Sequence, residues 1–211
     1  MERRRVLMGM QNAVQPPTGY RFIAYARSDT SISGGARVDL PFGFDSADEL
    51  IVKASCDILA GDKFVIAPSQ WNTNRNRFAI VGGPYSDRFG VGFGAEPTTG
   101  NKCYFSTSVI QRDTNIHIWT YRNYSFSLEG ISLKLDVSGV TFSEETKNLR
   151  LFYGYKANTA GKIAYYMHKK ANGTTYNIVP IQHKTTGEVE MYDTVSKTIM
   201  PRTGTLYPPE D

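Results

Sequence analysis

Cysteine is almost missing: Cys56 and Cys103 are the only two in 211 residues. Two thiols so far apart cannot supply a four-thiolate zinc site. With no export signal they are expected to be reduced and buried, the alternative being one disulfide between them. Histidine is nearly as scarce. His117, His168 and His183 stand far apart, in no HxH or HExxH spacing, so no metal site or metal cofactor is expected. No apolar run approaches the 18 or so residues of a membrane-spanning helix, so no membrane insertion is expected. The start, MERRRVLMGMQN, is basic, but only VLMGM follows before polar residues return. That is too short for a secretory core. A dominant charge is absent as well. Lys+Arg is 24 and Asp+Glu is 20, a net +4, which is no nucleic-acid signature by itself.

What is present describes a folded β-rich chain. Hydrophobic residues make up 40% and charged residues 21%, a globular balance. A chain this long can bury about 70% of its extended surface, enough for a core without disulfides or metals. Residues 1–19 read as an arm: Arg3, Arg4 and Arg5 lead into Val6, Leu7, Met8 and Met10, and Pro16, Pro17 and Gly19 punctuate its end. From Tyr20 to Tyr207, short β-rich runs recur between Gly, Asn, Asp, Ser and Pro clusters. They are RFIAYAR, ARVDLPF, ELIVKASCDI, DKFVIAP, RFAIVG, RFGVGFG, KCYFST, NIHIWTYR, YSFSLEG, ISLKLDVSG, NLRLFYGY, GKIAYYMHKK, TYNIVPIQH, EVEMYD and TIMPR.

Several of these alternate. In ISLKLDV, Ile131, Leu133, Leu135 and Val137 oppose Ser132, Lys134 and Asp136. In NIHIWTYR, Ile116, Ile118, Thr120 and Arg122 oppose His117, Trp119 and Tyr121. DKFVIAP is apolar on both faces, as in a sandwich-core strand. ANGT (Ala171 to Thr174) and TTGE (Thr185 to Glu188) carry hairpin chemistry. Only SEETKNL, Ser143 to Leu149, has a helical look, with Ser143 as cap and Glu144 and Glu145 at the positive end. So many short strands imply an all-β fold, a two-sheet antiparallel jelly roll of about 12–15 strands at this length. The expected organisation is an extended docking arm (1–19), a sandwich domain (20–207) and a short tail (208–211).

The closing segment carries a family pattern. Leu151-Phe152, Lys162-Ile163, Asn172-Gly173, Val179-Pro180, Gly187, Tyr192-Asp193 and Gly204-Thr205 follow one another in order. This resembles the last third of concanavalin A-like (laminin-G-like) jelly-roll domains of tailed-phage and prophage virion proteins. Ile181 departs from the pattern, where a Cys often follows the Pro. So do Glu190 and Met191, which replace Gly-Leu, and Tyr207, which stands for a last Gly. At the other end, GYRFIAYARSDTSISGGARVDLPF matches weakly, with an insertion splitting the usual opening strand. The resemblance implies a bacteriophage virion structural protein, a capsid decoration, head-fibre or tail-associated module made in the host cytoplasm. It also implies phage capsid or tail proteins as partners and several copies on one particle. The alternative is a lectin module for host-surface or dietary glycan.

No catalytic residue is expected. Sugar-cleaving members of the fold carry Glu-x-Asp-x-x-Glu on one strand. The nearest spacing here, Glu188, Glu190 and Asp193, has another order of residue types and falls on a closing turn, where it reads as a solvated hairpin. No GxSxG elbow occurs. FGVGFGAE has no following helix and reads as a bulge or close sheet packing. The one loop with binding chemistry is SQWNTNRNRF. Trp71 offers a flat apolar face. Asn72 and Asn74 offer paired amide donors and acceptors, and Arg75 and Arg77 can fork onto carboxylates. Tyr85 and Arg88 follow in the next loop. These seven residues are the candidate ligand or subunit contact, though the amides can equally bond the loop's own backbone.

Overall fold

The computed structural model describes residues 14–31, 34–45, 47–56, 64–68, 77–81, 90–94, 102–104, 113–123, 125–134, 148–153 and 158–210. Among the described residues there is no helix, only strands and their connections. The strands are β1 (Tyr20–Phe22), β2 (Ala26–Ser28), β3 (Arg37–Asp39), β4 (Glu49–Cys56), β5 (Phe64–Pro68) and β6 (Arg77–Val81). They continue with β7 (Gly90–Gly94), β8 (Lys102–Tyr104), β9 (His117–Arg122), β10 (Ser125–Leu128), β11 (Ile131–Lys134) and β12 (Leu149–Leu151). Last come β13 (Gly161–Lys169), β14 (Thr175–His183), β15 (Val189–Asp193), β16 (Thr198–Ile199) and β17 (Arg202–Thr203).

Two antiparallel sheets result. The larger runs β11-β10-β9-β4-β13-β14-β15-β16, with β1 added to β14 and β2 to β13. The smaller runs β17-β3-β12-β5-β6-β7-β8. Alternation along each strand sends every second side chain inward. The larger sheet contributes Leu50, Val52, Ala54, Trp119, Tyr121, Phe126, Leu128, Ile163, Tyr166, Ile178, Val189 and Met191 to one buried cluster. The smaller contributes Val38, Ile66, Leu149 and Leu151 to the same cluster. Each fully buried Leu, Ile or Val is worth roughly 1.5–3 kcal/mol. The two sheets therefore share a single core, as in a β-sandwich.

Several expected strands appear with changed limits. RFIAYAR is not one strand but two, and the reason lies in β13 and β14. These two pair only near their turn, where Tyr166–Lys169 meet Thr175–Ile178. Further down they part, and β13 takes β2 while β14 takes β1. Residues 20–28 thus form a wedge in the opened base of the central hairpin, and the link around Ile23–Tyr25 changes partner. TIMPR also divides. Thr198 and Ile199 pair with β15, whereas Arg202 and Thr203 pair with β3 of the other sheet. Between them Pro201 turns the corner, and its carbonyl accepts the Asp39 N–H at 2.9 Å.

Smaller differences follow the same physics. Leu149 was expected to end a helical turn, but it opens β12; residues 143–147 lie outside the described set. The glycine run Gly90–Gly94 is a strand, as expected, but it pairs one-to-one with Val81–Arg77 and holds no bulge against β6. The β9 alternation holds, with Trp119 and Tyr121 buried, yet Ile118 on the opposite face is exposed. Ile131 faces its inward neighbour Leu128 but is also exposed, because β11 is the edge strand and lacks a neighbour beyond it in the described sheet. Cys56 lies in the larger sheet and Cys103 in the smaller; their side chains fall outside the described set.

Two distant segments meet at Gly204. Its φ is +80°, and a Cβ there would lie 2.3 Å from the Gly35 carbonyl oxygen, a backbone atom that cannot swing aside. Gly173 in the ANGT turn also has positive φ, at +90°, but nothing stands within 4 Å of its Cβ position. Gly204→Ala is therefore expected to cost about 3 kcal/mol or more, and Gly173→Ala only about 1 kcal/mol. Urea unfolding of both variants measures the difference; equal costs would mean that the close approach to Gly35 contributes nothing.

Candidate functional site

A buried polar chain crosses the aromatic part of the core. Asp48 sits just before β4, in a loop that closes on itself: its N–H donates to the Asp45 carbonyl at 3.0 Å, and the Asp45 N–H donates to Asp48 Oδ2 at 2.8 Å. Tyr166 and His168 lie on the inward face of β13, two residues apart. His168 Nε2 stands 2.7 Å from Asp48 Oδ2, and the Tyr166 hydroxyl stands 2.8 Å from His168 Nδ1. Lys170, where the ANGT turn begins, donates from Nζ to Asp48 Oδ2 at 2.7 Å and to the Gly43 carbonyl at 3.0 Å. The Ala171 N–H donates to Asp48 Oδ1 at 2.9 Å. Phe42 meets the His168 ring edge-on at 4.9 Å and stacks on Tyr176 at 3.9 Å.

The partners settle the protons. Burial pushes the Tyr166 phenol well above its ordinary value, and the Asp48 charge adds to that push. The phenol is therefore a donor, and Nδ1 of His168 accepts from it. Nε2 then carries the imidazole hydrogen and donates it to Asp48. Burial also pulls His168 below 6.5, against the raising influence of Asp48, so the ring is neutral in the fold. For Asp48, burial alone would raise the carboxyl. The hydrogen bonds from His168, Lys170 and the Asp45 backbone outweigh it, and the net shift is downward. Asp48, His168 and Tyr166 are all 0% exposed. This arrangement is a clamp: it binds the loop before β4 to the tip of the central hairpin.

Other charged groups serve as joints. Asp193, expected on a solvated turn, is fully buried. It accepts the N–H groups of Asn177 at 2.8 Å, Val195 at 3.1 Å and Ser196 at 3.1 Å, which folds the turn after β15. Glu190 is only 13% exposed and accepts Arg202 Nε at 2.8 Å, so it too departs from the solvated reading. Burial raises its carboxyl, with Arg202 opposing. Glu188 is the solvent-facing member and pairs with Arg202 Nη2. Because Arg202 belongs to β17 and Glu190 to β15, this pair bridges the two sheets.

The histidines are dispersed, as their spacing implies. His117 Nε2 lies 2.7 Å from Asp113 and Nδ1 lies 3.4 Å from Glu129, so the carboxylates sit at opposite ends of the ring. His183 Nδ1 accepts the N–H groups of Thr185 and Thr186, capping the TTGE turn. Among the described residues, no group of three His, Cys, Asp or Glu is placed to hold one metal ion.

Of the sequence-predicted contact residues, Trp71, Asn72, Asn74, Arg75, Tyr85 and Arg88 lie outside the described residues, as do Arg3, Arg4, Arg5, Val6, Leu7, Met8 and Met10. Arg77 opens β6, opposite Gly94, with its side chain outside the described set. The clamp was not anticipated. Tyr166 and His168 two apart on an inward face were its one local signal; Asp48 is 120 residues from His168 and had none. No protein-family model matches the chain, and no curated protein sequence matches it.

The clamp predicts acid sensitivity. The unfolded chain protonates histidine near 6.5, before the depressed His168 in the fold, so stability falls as pH drops below that value. The Asp48 contribution is present above the ordinary 3.8 and disappears as pH falls through its lower folded value. Thermal melts between pH 7.5 and 5 are expected to show a falling midpoint, with a shallower fall in His168→Gln. At neutral pH, Asp48→Ala should cost about 3–5 kcal/mol, because it removes the partner of the buried His168 ring and of the half-buried Lys170 ammonium. A pH-independent midpoint, or a cost near zero, would contradict the clamp.

Proposed function

We propose that this chain is a non-catalytic virion structural protein, a concanavalin A-like jelly roll carried on the capsid or tail of a bacteriophage. One observation carries the reading: the closing segment that resembles such domains is scaffold throughout. Leu151 and Phe152 are buried, and Ile163 and Tyr192 lie on the larger sheet with little or no exposure. Gly173 and Gly187 shape the two hairpin turns, Asp193 caps the next, and Gly204 packs on Gly35. Met191, in place of the family's Leu, fills the same kind of core position. The connections support the jelly-roll assignment as well. Passing from β3 to β4, β4 to β5, β8 to β9, β11 to β12 and β12 to β13, the chain changes sheet each time.

The carboxylates nearest to a glycosidase pattern are engaged in joints. Glu188 and Glu190 share Arg202, and Asp193 is filled by backbone N–H groups. This favours display over chemistry. The arm then supplies attachment: a basic tip followed by apolar residues suits a groove on a partner subunit, with burial offsetting ordering entropy of about 1–2 kcal/mol per residue.

Mass spectrometry of particles purified from cells that carry this gene is expected to find the chain in stoichiometric copies. Deleting residues 1–13 should leave a folded, monodisperse protein that no longer decorates particles. Absence from particles together with secreted glycan-binding activity would favour the lectin alternative. Release of reducing sugar from laminarin or lichenan, lost in Glu190→Gln, would overturn the non-catalytic reading.

A further inference from the structure

The wedge in the larger sheet leaves a seam that does not close. β2 takes the tail on its free side, where Arg27 and Tyr207 exchange both backbone hydrogen bonds at 2.9 Å. Beyond Tyr207 the tail continues with Pro208 and Pro209, which have no N–H to donate. The ladder therefore stops there, and a groove of about 370 Å³ opens between the tail and β1. Arg21, Phe22, Ile23 and Ala24 line one side, Pro208 and Pro209 the other, and Gln182 also contributes.

Arg21 is the cation of this groove, and its orientation is fixed. Gln182, only 8% exposed, donates from Nε2 to the Gly187 carbonyl at 3.1 Å. That bond turns Oε1 toward Arg21, where it accepts Nε at 3.1 Å and Nη2 at 2.6 Å. The Nε–Nη2 edge of the guanidinium is thus engaged. Its other edge, Nη1–Nη2, has no partner among the described residues and presents a second pair of parallel donors. The nearby tail carboxylate, Glu210, is already paired with Arg27 at 3.0 Å.

We propose that this groove binds a carboxylate-bearing sugar residue, a uronic or sialic acid. The chemistry of the lining selects that class. A free guanidinium edge matches the planar, bidentate geometry of a carboxylate. Among the described residues of the lining Arg21 is the one cation, which suits a monoanion better than a phosphate dianion. Pro208, Pro209, Phe22 and Ile23 offer flat apolar surface to the C–H face of a sugar ring, and the volume lies at the small end of ligand sites, fitting one or two rings. The proposal stands apart from the virion reading. Particle analysis tests one and ligand binding the other, so either can fail alone.

The test is a titration of the full chain with glucuronic acid, N-acetylneuraminic acid and glucose, followed by NMR or calorimetry. Binding of at least one acid in the millimolar range, weakened by added salt and absent for glucose, is expected. Arg21→Gln and Arg21→Lys should each weaken it about tenfold or more, since lysine keeps the charge but loses the paired donors. Pro209→Gly should weaken it without touching the cation, which covers the case of an Arg21 variant that folds poorly. No binding of either acid, glucose binding as well as the acids, or unchanged affinity in the Arg21 variants would overturn the proposal. Tighter binding of a short peptide through its free C-terminal carboxylate would overturn it too, and would assign the groove to protein ends instead.

Discussion

A single buried carboxylate sets the arrangement of the larger sheet's centre. Asp48 is inaccessible to water, yet it faces one ammonium, one imidazole and two backbone N–H groups. An ion so placed is tolerable only when all of these are present together. Its demands fix the loop before β4 against the hairpin tip, 122 residues away at Lys170. The contact brings the first long strand of the larger sheet beside β13, and β13 pairs with it from Gly161 to Lys169, with a bulge between Ile163 and Tyr165. The aromatic rings of Phe42, Phe44, Tyr121 and Tyr176 then pack around the polar chain. Apolar fill alone would tolerate other registers, whereas this set of bonds accepts one.

The same economy governs the periphery. Asp193 organises a turn through three N–H groups, and Arg202 ties two strands from different sheets through Glu188 and Glu190. Arg27 similarly gathers Asp29, Glu210 and the Tyr207 ring. Charged residues in the described part therefore act mainly at corners and seams, where strands leave one partner for another. Hydrophobic residues fill the layer between.

How much of this the sequence revealed depends on the range of each interaction. Period-two alternation in NIHIWTYR put Trp119 and Tyr121 on one face, since a strand face is a local property; that this face is the buried one comes from the packing of the sheets. ANGT and TTGE were legible as turns because Gly173 and Gly187 need positive φ. The split of RFIAYAR was not legible, because it follows from the divergence of β13 and β14, some 140 residues further along. Glu190 and Asp193 looked solvated for a similar reason: Arg202 folds back over one, and three backbone groups surround the other. Asp48 carries no mark in the sequence. Nothing near it in sequence announces that His168 and Lys170 will enclose it.

The wedge of residues 20–28 also sets how the molecule bears load. Tension applied through the segment before Tyr20 arrives at a short strand paired on one side only, set inside the sheet and not at its rim. It enters at β1 and meets β14 first, through the pairs Tyr20–His183, Arg21–Gln182 and Phe22–Ile181. Only when these give way does the pull reach β2 and its three pairs with β13. The strain is thus delivered in two successive steps into the middle of the sheet. There β4 and β15 brace the receiving strands from behind. A tether attached at this point can yield in its first step and keep its second, so that a brief tug is absorbed before the sandwich itself is stressed.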